Sequence, residues 1–340
     1  MTKEFLQGNV AAVKSAIANS LDLFCGYPIT PSTEALEYAA EVLPPEKFMN
    51  SYSELETINL LYGAGAAGKR SMTATSGCGF SLMREGLSYM IGAKVPGVIY
   101  NVMRFSPGLG GLSPSNQDIN VYWGIGHGES KAPIFTPSSC QEIADAMMYA
   151  FDIADTLRMP VLVMTDTVGG QMYEPVEIHK SEFTINKDWA VGQNRRNVIS
   201  SRKTNERKVI QSYKTYDSEQ SEQIDFVLER EKNMLSVCKT FTPKTVKYKH
   251  TDSEKYLAAI GTTARVIQEV AEKTNMGYII PFLLNPFEVK DTEKIKEITI
   301  VEMGGTALYD IIKYNFPNAK VKSVVFSHLL PDSEEIMERL

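Results

Sequence analysis

The sequence predicts an α/β protein: a parallel sheet covered on both faces, followed by a second, smaller α/β unit. Apolar runs of strand length alternate with stretches whose apolar residues recur at helical spacing. The runs are apolar throughout instead of alternating with polar residues, as expected of strands buried on both faces. A composition change then divides the chain, because charged and polar residues dominate from Lys180 to His250 before the alternation resumes. The expected organisation is a first domain over 1–185, a charged connecting segment over 186–250 and a small α/β domain over 251–340.

Taken in order, Leu23-Phe24-Cys25 is a strand that runs into the turn Gly26-Tyr27-Pro28-Ile29-Thr30-Pro31. Ser32-Thr33-Glu34 opens a helix through Glu41, with hydroxyl residues available as caps. Strands follow at Ser71–Thr75, Gly97–Val102, Ile134–Thr136 and Val161–Thr165. The helix Gln141–Thr156 carries Ile143, Ala146, Met147, Ala150 and Ala154 on one face. Ser218–Lys239 reads as one long polar helix lying over a domain surface. The second unit reads as strand Tyr256–Ile260, helix Ala264–Lys273, strands Tyr278–Phe282 and Ile298–Glu302, helix Ala307–Tyr314 and strand Val321–Phe326.

Composition narrows the function. The 340 residues carry a net charge of -6, which argues against a nucleic-acid or anionic-membrane partner. No apolar run reaches the roughly 20 residues that cross a bilayer. The N-terminal residues lack the apolar core of a secretory signal, so a cytoplasmic location is expected. Cys25, Cys78, Cys140 and Cys238 are scattered, with no C-x-x-C pair, so this chain offers no metal or iron–sulfur ligand set of its own. Cys25, Cys140 and Cys238 read as small core hydrophobes. Cys78 stands apart in a glycine-rich loop.

Two motifs mislead. Gly63-Ala64-Gly65-Ala66-Ala67-Gly68 spells G-x-G-x-x-G, and with Lys69 nearly spells a phosphate-binding loop. Such loops must follow a strand, so that the next helix presents its N–H groups to phosphate. Here Leu55, Ile58, Leu61 and Tyr62 precede it at helical spacing, and Arg70 stands where a Mg²⁺-binding hydroxyl is needed. Close packing of a helix on a neighbouring backbone is the expected use of these glycines.

Other residues suggest chemistry. Glu54 begins that helix, where a buried carboxyl could relay a proton, although a favourable charge at a helix start explains it equally. Thr75-Ser76-Gly77-Cys78-Gly79 joins a strand to a helix with small residues, which lets a planar ligand approach the backbone. Arg104 ends an apolar strand, a position suited to a bidentate grip on a carboxylate; a surface ion pair is the plain alternative. His127, between Gly126 and Gly128, is a possible proton carrier or a solvated loop residue.

In this order the residues resemble the α subunit of 2-oxoacid:ferredoxin oxidoreductases, above all the branched-chain and 2-oxoglutarate members. The matching stretches are Gly26 through Glu34, Glu54 through Ala64 with Ala67-Gly68 and Arg70, Thr73 through Gly77 with Gly79 and Ser81-Leu82-Met83, Asn101-Val102-Met103-Arg104, Pro107 through Gly110, Gly126-His127-Gly128, and Gly170-Gln171-Met172 with Glu174-Pro175-Val176. The resemblance implies a thiamine-diphosphate-binding domain of the pyrimidine type, doubly wound, plus a second domain like the C-terminal domain of transketolase. It implies that Glu54 hydrogen-bonds the aminopyrimidine, that Thr30 and Arg104 hold the substrate carboxylate, and that Pro28, Ile29, Thr75, Ser76, Gly77 and Cys78 line the cofactor. Most relatives have proline at the position of Cys78. No G-D-G motif occurs, and Thr165-Asp166-Thr167 does not match one. A β subunit is therefore expected to carry the diphosphate and Mg²⁺, with [4Fe-4S] clusters on it or on γ and ferredoxin-like subunits, ferredoxin as acceptor and CoA as co-substrate. The implied reaction is oxidative decarboxylation of a 2-oxoacid, 3-methyl-2-oxobutanoate in preference to 2-oxoglutarate, to acyl-CoA and CO₂. The alternative is a thiamine-dependent decarboxylase or transketolase-like subunit without electron transfer.

Overall fold

The computed structural model describes residues 2–191, 198–199, 209–210, 212, 217–242, 245–249, 253–289 and 292–340. The chain begins with β1 (Glu4–Gln7), α1 (Gly8–Ala18), β2 (Leu23–Gly26), α2 (Thr33–Val42), β3 (Phe48–Asn50), α3 (Glu54–Ala66), β4 (Ser71–Thr75), α4 (Gly77–Ala93) and β5 (Gly97–Met103). It continues through β6 (Ile134–Phe135), α5 (Cys140–Leu157), β7 (Pro160–Asp166), α6 (Thr167–Gln171) and β8 (Tyr173–Val176). Next come β9 (Val198–Ile199), β10 (Val209–Ile210), α7 (Asp217–Phe241), β11 (Val246–Lys249), β12 (Lys255–Ala258), α8 (Thr263–Thr274) and β13 (Gly277–Pro281). The last elements are β14 (Leu283–Asn285), β15 (Glu297–Met303), α9 (Ala307–Asn315), β16 (Lys320–Phe326) and α10 (Ser333–Met337).

Seven strands form the larger sheet in the order β14-β6-β7-β5-β4-β2-β3. All neighbours are parallel except β14, which pairs antiparallel with β6. Every residue of β4, β5 and β7 is buried, which is why their sequences run apolar instead of alternating. The smaller sheet has the order β11-β13-β12-β15-β16, with β11 antiparallel. Its strands do alternate: Tyr256 and Ala258 face a core shared with the larger sheet, while Leu257 and Ala259 face α8. The antiparallel ribbon β1–β8 stands apart from both sheets.

The helices follow their sequence signals with small shifts. α2 starts at Thr33, but the Ser32 hydroxyl donates to the Ile29 carbonyl (2.8 Å) and does not cap the helix. The glycine-rich motif lies within α3 and just beyond it. A side chain at Gly65 would run into the Pro96 carbonyl, whereas Gly63 meets nothing nearby. One glycine of the pair serves close packing; the other does not. Arg70 bridges Asp152 (2.8 Å) and Asp155 (2.9 Å) on α5.

The polar helix α7 is docked on the larger sheet's helices by Arg230. Its guanidinium donates to the carbonyls of Ile91 (2.9 Å) and Arg158 (2.7 Å), at the carboxyl ends of α4 and α5, where a cation is favoured by the helix dipole. Burial in turn pulls the Arg230 pKa down to about 10. None of the helices among the described residues is long and apolar enough to cross a membrane.

Candidate active site

The carboxyl ends of β2, β4 and β5 converge on one region, as they must in a parallel sheet. β2 leads into the turn Gly26–Pro31, which contains a cis Thr30–Pro31 bond. The turn is held by Asn9, at the start of α1, whose Nδ2 donates to the Pro31 carbonyl (2.8 Å) and to Glu34 (2.9 Å). Asn9 in turn accepts the Tyr100 hydroxyl of β5 (3.1 Å). A buried polar chain thus ties the turn to the sheet's centre, and leaving any member unpaired would carry a desolvation penalty.

Arg104 follows β5 directly and is only 7% exposed. Its Nη1 donates to the Thr30 carbonyl (2.6 Å), and its Nη2 to the Leu109 carbonyl (3.0 Å) and the Cys78 thiol (3.4 Å). Three of its five N–H groups are thereby used in placing it; Nε–H and one Nη1–H remain, on opposite edges of the guanidinium, so a ligand carboxylate meets one of them at a time. Thr30, Cys78 and Arg104, drawn from three separate stretches, meet here.

Glu54 is the first residue of α3, behind the N-cap Ser53, whose hydroxyl accepts the Glu56 amide (3.3 Å). Glu56 turns away and accepts the Tyr52 amide at 2.6 Å. Glu54 turns inward, 6% exposed, and its carboxylate has no hydrogen-bond partner among the described residues. It lies over Gly79, where any side chain would collide with Glu54 Oε1 and come within 2.7 Å of Thr75 Oγ1. The glycine is required by this approach of α3 to the start of α4. Around it the hydroxyls of Thr75 and Ser76 are buried and also without partners. Buried polar groups are ordinarily hydrogen-bonded, so this concentration marks a place that awaits a polar ligand.

Pro28 and Thr30 are exposed and Ile29 is half-buried, on the turn beside this region. His127 is elsewhere. It packs on Ser88 (3.2 Å) and edge-on to Tyr89 of α4, nine residues past Gly79 or about 14 Å along the helix. Asp166, fully buried, caps α6 through the Gly169 amide (2.9 Å) and accepts both the amide (2.7 Å) and hydroxyl (2.9 Å) of Thr262 from the smaller sheet's side. Sequence reasoning missed Asn9, Asn101 and Asp118. Asn101 Nδ2 donates to Asp118 (3.0 Å) beside the site. The available signal was a polar side chain inside the otherwise apolar run Val98–Met103.

The rim is apolar and uncovered: Tyr52 is 92% exposed and Leu109 78%, with Tyr27, Leu55, Leu82 and Leu112 also exposed. Isolated exposed apolar residues are ordinary, but a concentration around a buried acid is the mark of an interaction surface.

The family model described as pyruvate flavodoxin/ferredoxin oxidoreductase, thiamine diP-bdg, matches residues 14–239. The chain belongs to this family. Among its relatives, ketoisovalerate oxidoreductase subunit VorB of Methanothermobacter thermautotrophicus is 36% identical over 311 residues, covering 88% of this chain and 83% of the relative. 2-Oxoglutarate synthase subunit KorA of the same organism is 42% identical over 183 residues, but covers 52% of this chain and 48% of its own length. Among solved structures, the 2-oxoglutarate:ferredoxin oxidoreductase from Magnetococcus marinus aligns with a TM-score of 0.82 at 20% identity, over 99% of this chain and 64% of that one. A split-gene transketolase aligns at 0.56 and 13% identity over 98% of this chain. Both structures share the fold, and the likeness to transketolase extends across both sheets.

Proposed function

We propose that this oxidoreductase-family chain presents Glu54 to the aminopyrimidine of thiamine diphosphate, and Arg104 with Thr30 to the carboxylate of a 2-oxoacid. The diphosphate, Mg²⁺ and [4Fe-4S] clusters belong to partner subunits in this reading. The observation that carries it is the unpartnered Glu54 carboxyl, sunk beneath the sheet's mouth beside the orphaned hydroxyls of Thr75 and Ser76. A ring nitrogen is the partner such a carboxyl lacks, and small residues on Gly77–Gly79 leave room for a flat ring.

When bound, thiamine diphosphate supplies the carbon nucleophile and electron sink for decarboxylation. The protein's part is placement and proton handling. Glu54, in a water-poor setting, holds a proton on the ring nitrogen. Arg104 is fixed by Thr30, Leu109 and Cys78 contacts before substrate arrives, so its charge and a free N–H meet a carboxylate with little ordering cost. Anchoring that group selects which carbon–carbon bond is aligned for cleavage.

The apolar rim of Tyr27, Tyr52, Leu55, Leu82 and Leu109 supports a partner subunit that closes the site from outside. Closure would exclude water from the site and bring the partner subunits' electron carriers within reach of it. The branched-chain substrate is favoured because the ketoisovalerate relative matches over 88% of the chain, while the 2-oxoglutarate relative matches over 52%. Testing requires the complex assembled with its partners. Glu54→Gln is expected to leave assembly and thermal stability intact while viologen reduction with 3-methyl-2-oxobutanoate falls about a thousandfold. Near-normal reduction in that variant would overturn the assignment.

A further inference from the structure

Asp118 sits in the short 3₁₀ turn Gln117–Tyr122. Its Oδ2 accepts Asn101 Nδ2 at 3.0 Å, and its carboxylate faces the backbone N–H of Gly77 across the same cleft. Those two donors occupy the two neighbouring strand ends that build the site. Asn101 lies beside Thr75 in the β4–β5 register, three residues before Arg104. Gly77 opens α4 with a positive φ of 35°, two residues before the glycine that lies under Glu54.

Helix α4 needs such a contact. A helix start leaves N–H groups without internal partners. The N-cap Ser76 makes no capping bond, and its hydroxyl is unpartnered. Asp118 supplies from outside what the cap does not, a negative oxygen at the positive end of a 17-residue helix. The charges of Arg104 and Arg84 also act on it. Asp118, Cys78, Ser81, Arg84 and Gln117 share one cleft of about 670 Å³ beside Arg104.

We propose that Asp118 is a positioning residue of the 2-oxoacid site, holding the Thr75–Gly79 turn and the strand end that carries Arg104 in one fixed geometry. It does not touch substrate; it acts through Gly77, Asn101 and Arg104. The inference rests on the functional reading above for its effect on turnover, but its effect on the turn can be read in the chain alone. Cys78 lies in that turn and is half-exposed, whereas Cys25, Cys140 and Cys238 are buried. Its alkylation by iodoacetamide therefore reports how firmly the turn is held.

Asp118→Ala removes both acceptors and is expected to speed Cys78 alkylation about tenfold, with the other three cysteines still protected. Asp118→Asn should stay near the normal rate. The buried Asn101 Oδ1 is unpartnered, so a flip of the Asn101 amide restores a bond to the new Nδ2 while Oδ1 of the new residue faces the Gly77 N–H. Asp118→Glu keeps the charge but pushes the turn outward by a methylene, and should speed labelling several-fold even if the alanine variant fails to fold. In the assembled complex the alanine and glutamate variants should raise the 2-oxoacid KM about tenfold, more than they lower kcat, and the asparagine variant should recover most of the loss. Unchanged Cys78 labelling in the alanine and glutamate variants would overturn the proposal. So would labelling of all four cysteines together, which marks a purely global role. Should the unaltered complex oxidise no 2-oxoacid, the functional reading fails, while the labelling result still decides the role of Asp118 in the turn.

Discussion

The mouths of the two sheets make an instructive pair. Both are places where parallel strands end and helices begin, so both offer N–H groups and small residues to whatever lies outside. At the larger sheet the chain gives its polar groups no partners: the Glu54 carboxylate and the buried hydroxyls of Thr75 and Ser76 stand unpaired among the described residues, beneath an exposed apolar rim. At the smaller sheet the chain leaves β12 through α8 to β13 on one side and reaches β15 on the other, which makes a switch point between β12 and β15. That crevice is bridged by the molecule itself, although the Asn116 side-chain amide and the Thr165 and Thr263 hydroxyls near it are buried without partners. Asp166 takes the Thr262 amide and hydroxyl there, and the Asn116 backbone amide donates to the Met303 carbonyl (3.0 Å). Gly261 and Gly304, both at positive φ, let these segments approach, since a side chain at Gly261 would strike Asp166. The same fold motif is thus used in two ways, and the difference is whether the chain supplies donors to its own acid.

The contrast can be broken experimentally. The largest effect belongs to the larger sheet's mouth: Glu54→Gln should cost about a thousandfold in viologen reduction with no change in melting temperature. In the smaller sheet's mouth the signs reverse. Asp166→Ala leaves the Gly169 and Thr262 donors buried and unpaired, and should destabilise the chain by about 3 kcal/mol or more in urea unfolding, with activity lost only as the fold is lost. Asp166→Asn keeps the shape but sets an NH₂ against the backbone N–H of either Gly169 or Thr262, so it should recover only part of that loss.

Glu302, at the end of β15, extends the comparison to pH. It accepts the Leu308 amide (2.7 Å) and the Ser323 hydroxyl (2.6 Å), and burial raises its pKa from 4.5 to about 7. The folded state therefore keeps a proton that the unfolded chain releases, and stability falls as pH rises from about 4.5 to about 7. The loss is about 3 kcal/mol at most. Glu302→Gln should flatten melting temperature across that window; an unaltered slope would sink the assignment. The smallest effect is expected from Arg104→Lys, which keeps the charge but loses the planar group that the Thr30 and Leu109 carbonyls hold in place. A KM for the 2-oxoacid raised about thirtyfold, with stability near normal, is the expected outcome.

Much of this was legible in the sequence because the signals were local. Buried parallel strands need continuous apolar runs, so β4, β5 and β7 announced themselves. Glu54 and Arg104 were singled out as an acid at a helix start and an arginine at a strand end, and Thr30 only through the family resemblance. The edge strand β14 and the ribbon β1–β8 were not legible, since each is defined by pairing with distant residues: Leu283 with Phe135, Glu4 with Val176. The same holds for Asn9 and Asp118, whose partners lie 22 to 91 and 17 to 41 residues away, and for His127, which the fold leaves with Ser88 and Tyr89.

The sequence by itself determined the α/β class, the helical nature of the glycine-rich motif and the residue types available for acid and anion chemistry, because periodicity and turn chemistry act over a few residues. Only the tertiary structure decided which of those side chains meet, that Glu54 goes inward while Glu56 turns out, and that Asp166 serves the joint between the sheets. Those outcomes depend on contacts between segments far apart in the chain, where burial and unpaired hydrogen-bonding groups set the energy and no local pattern records them.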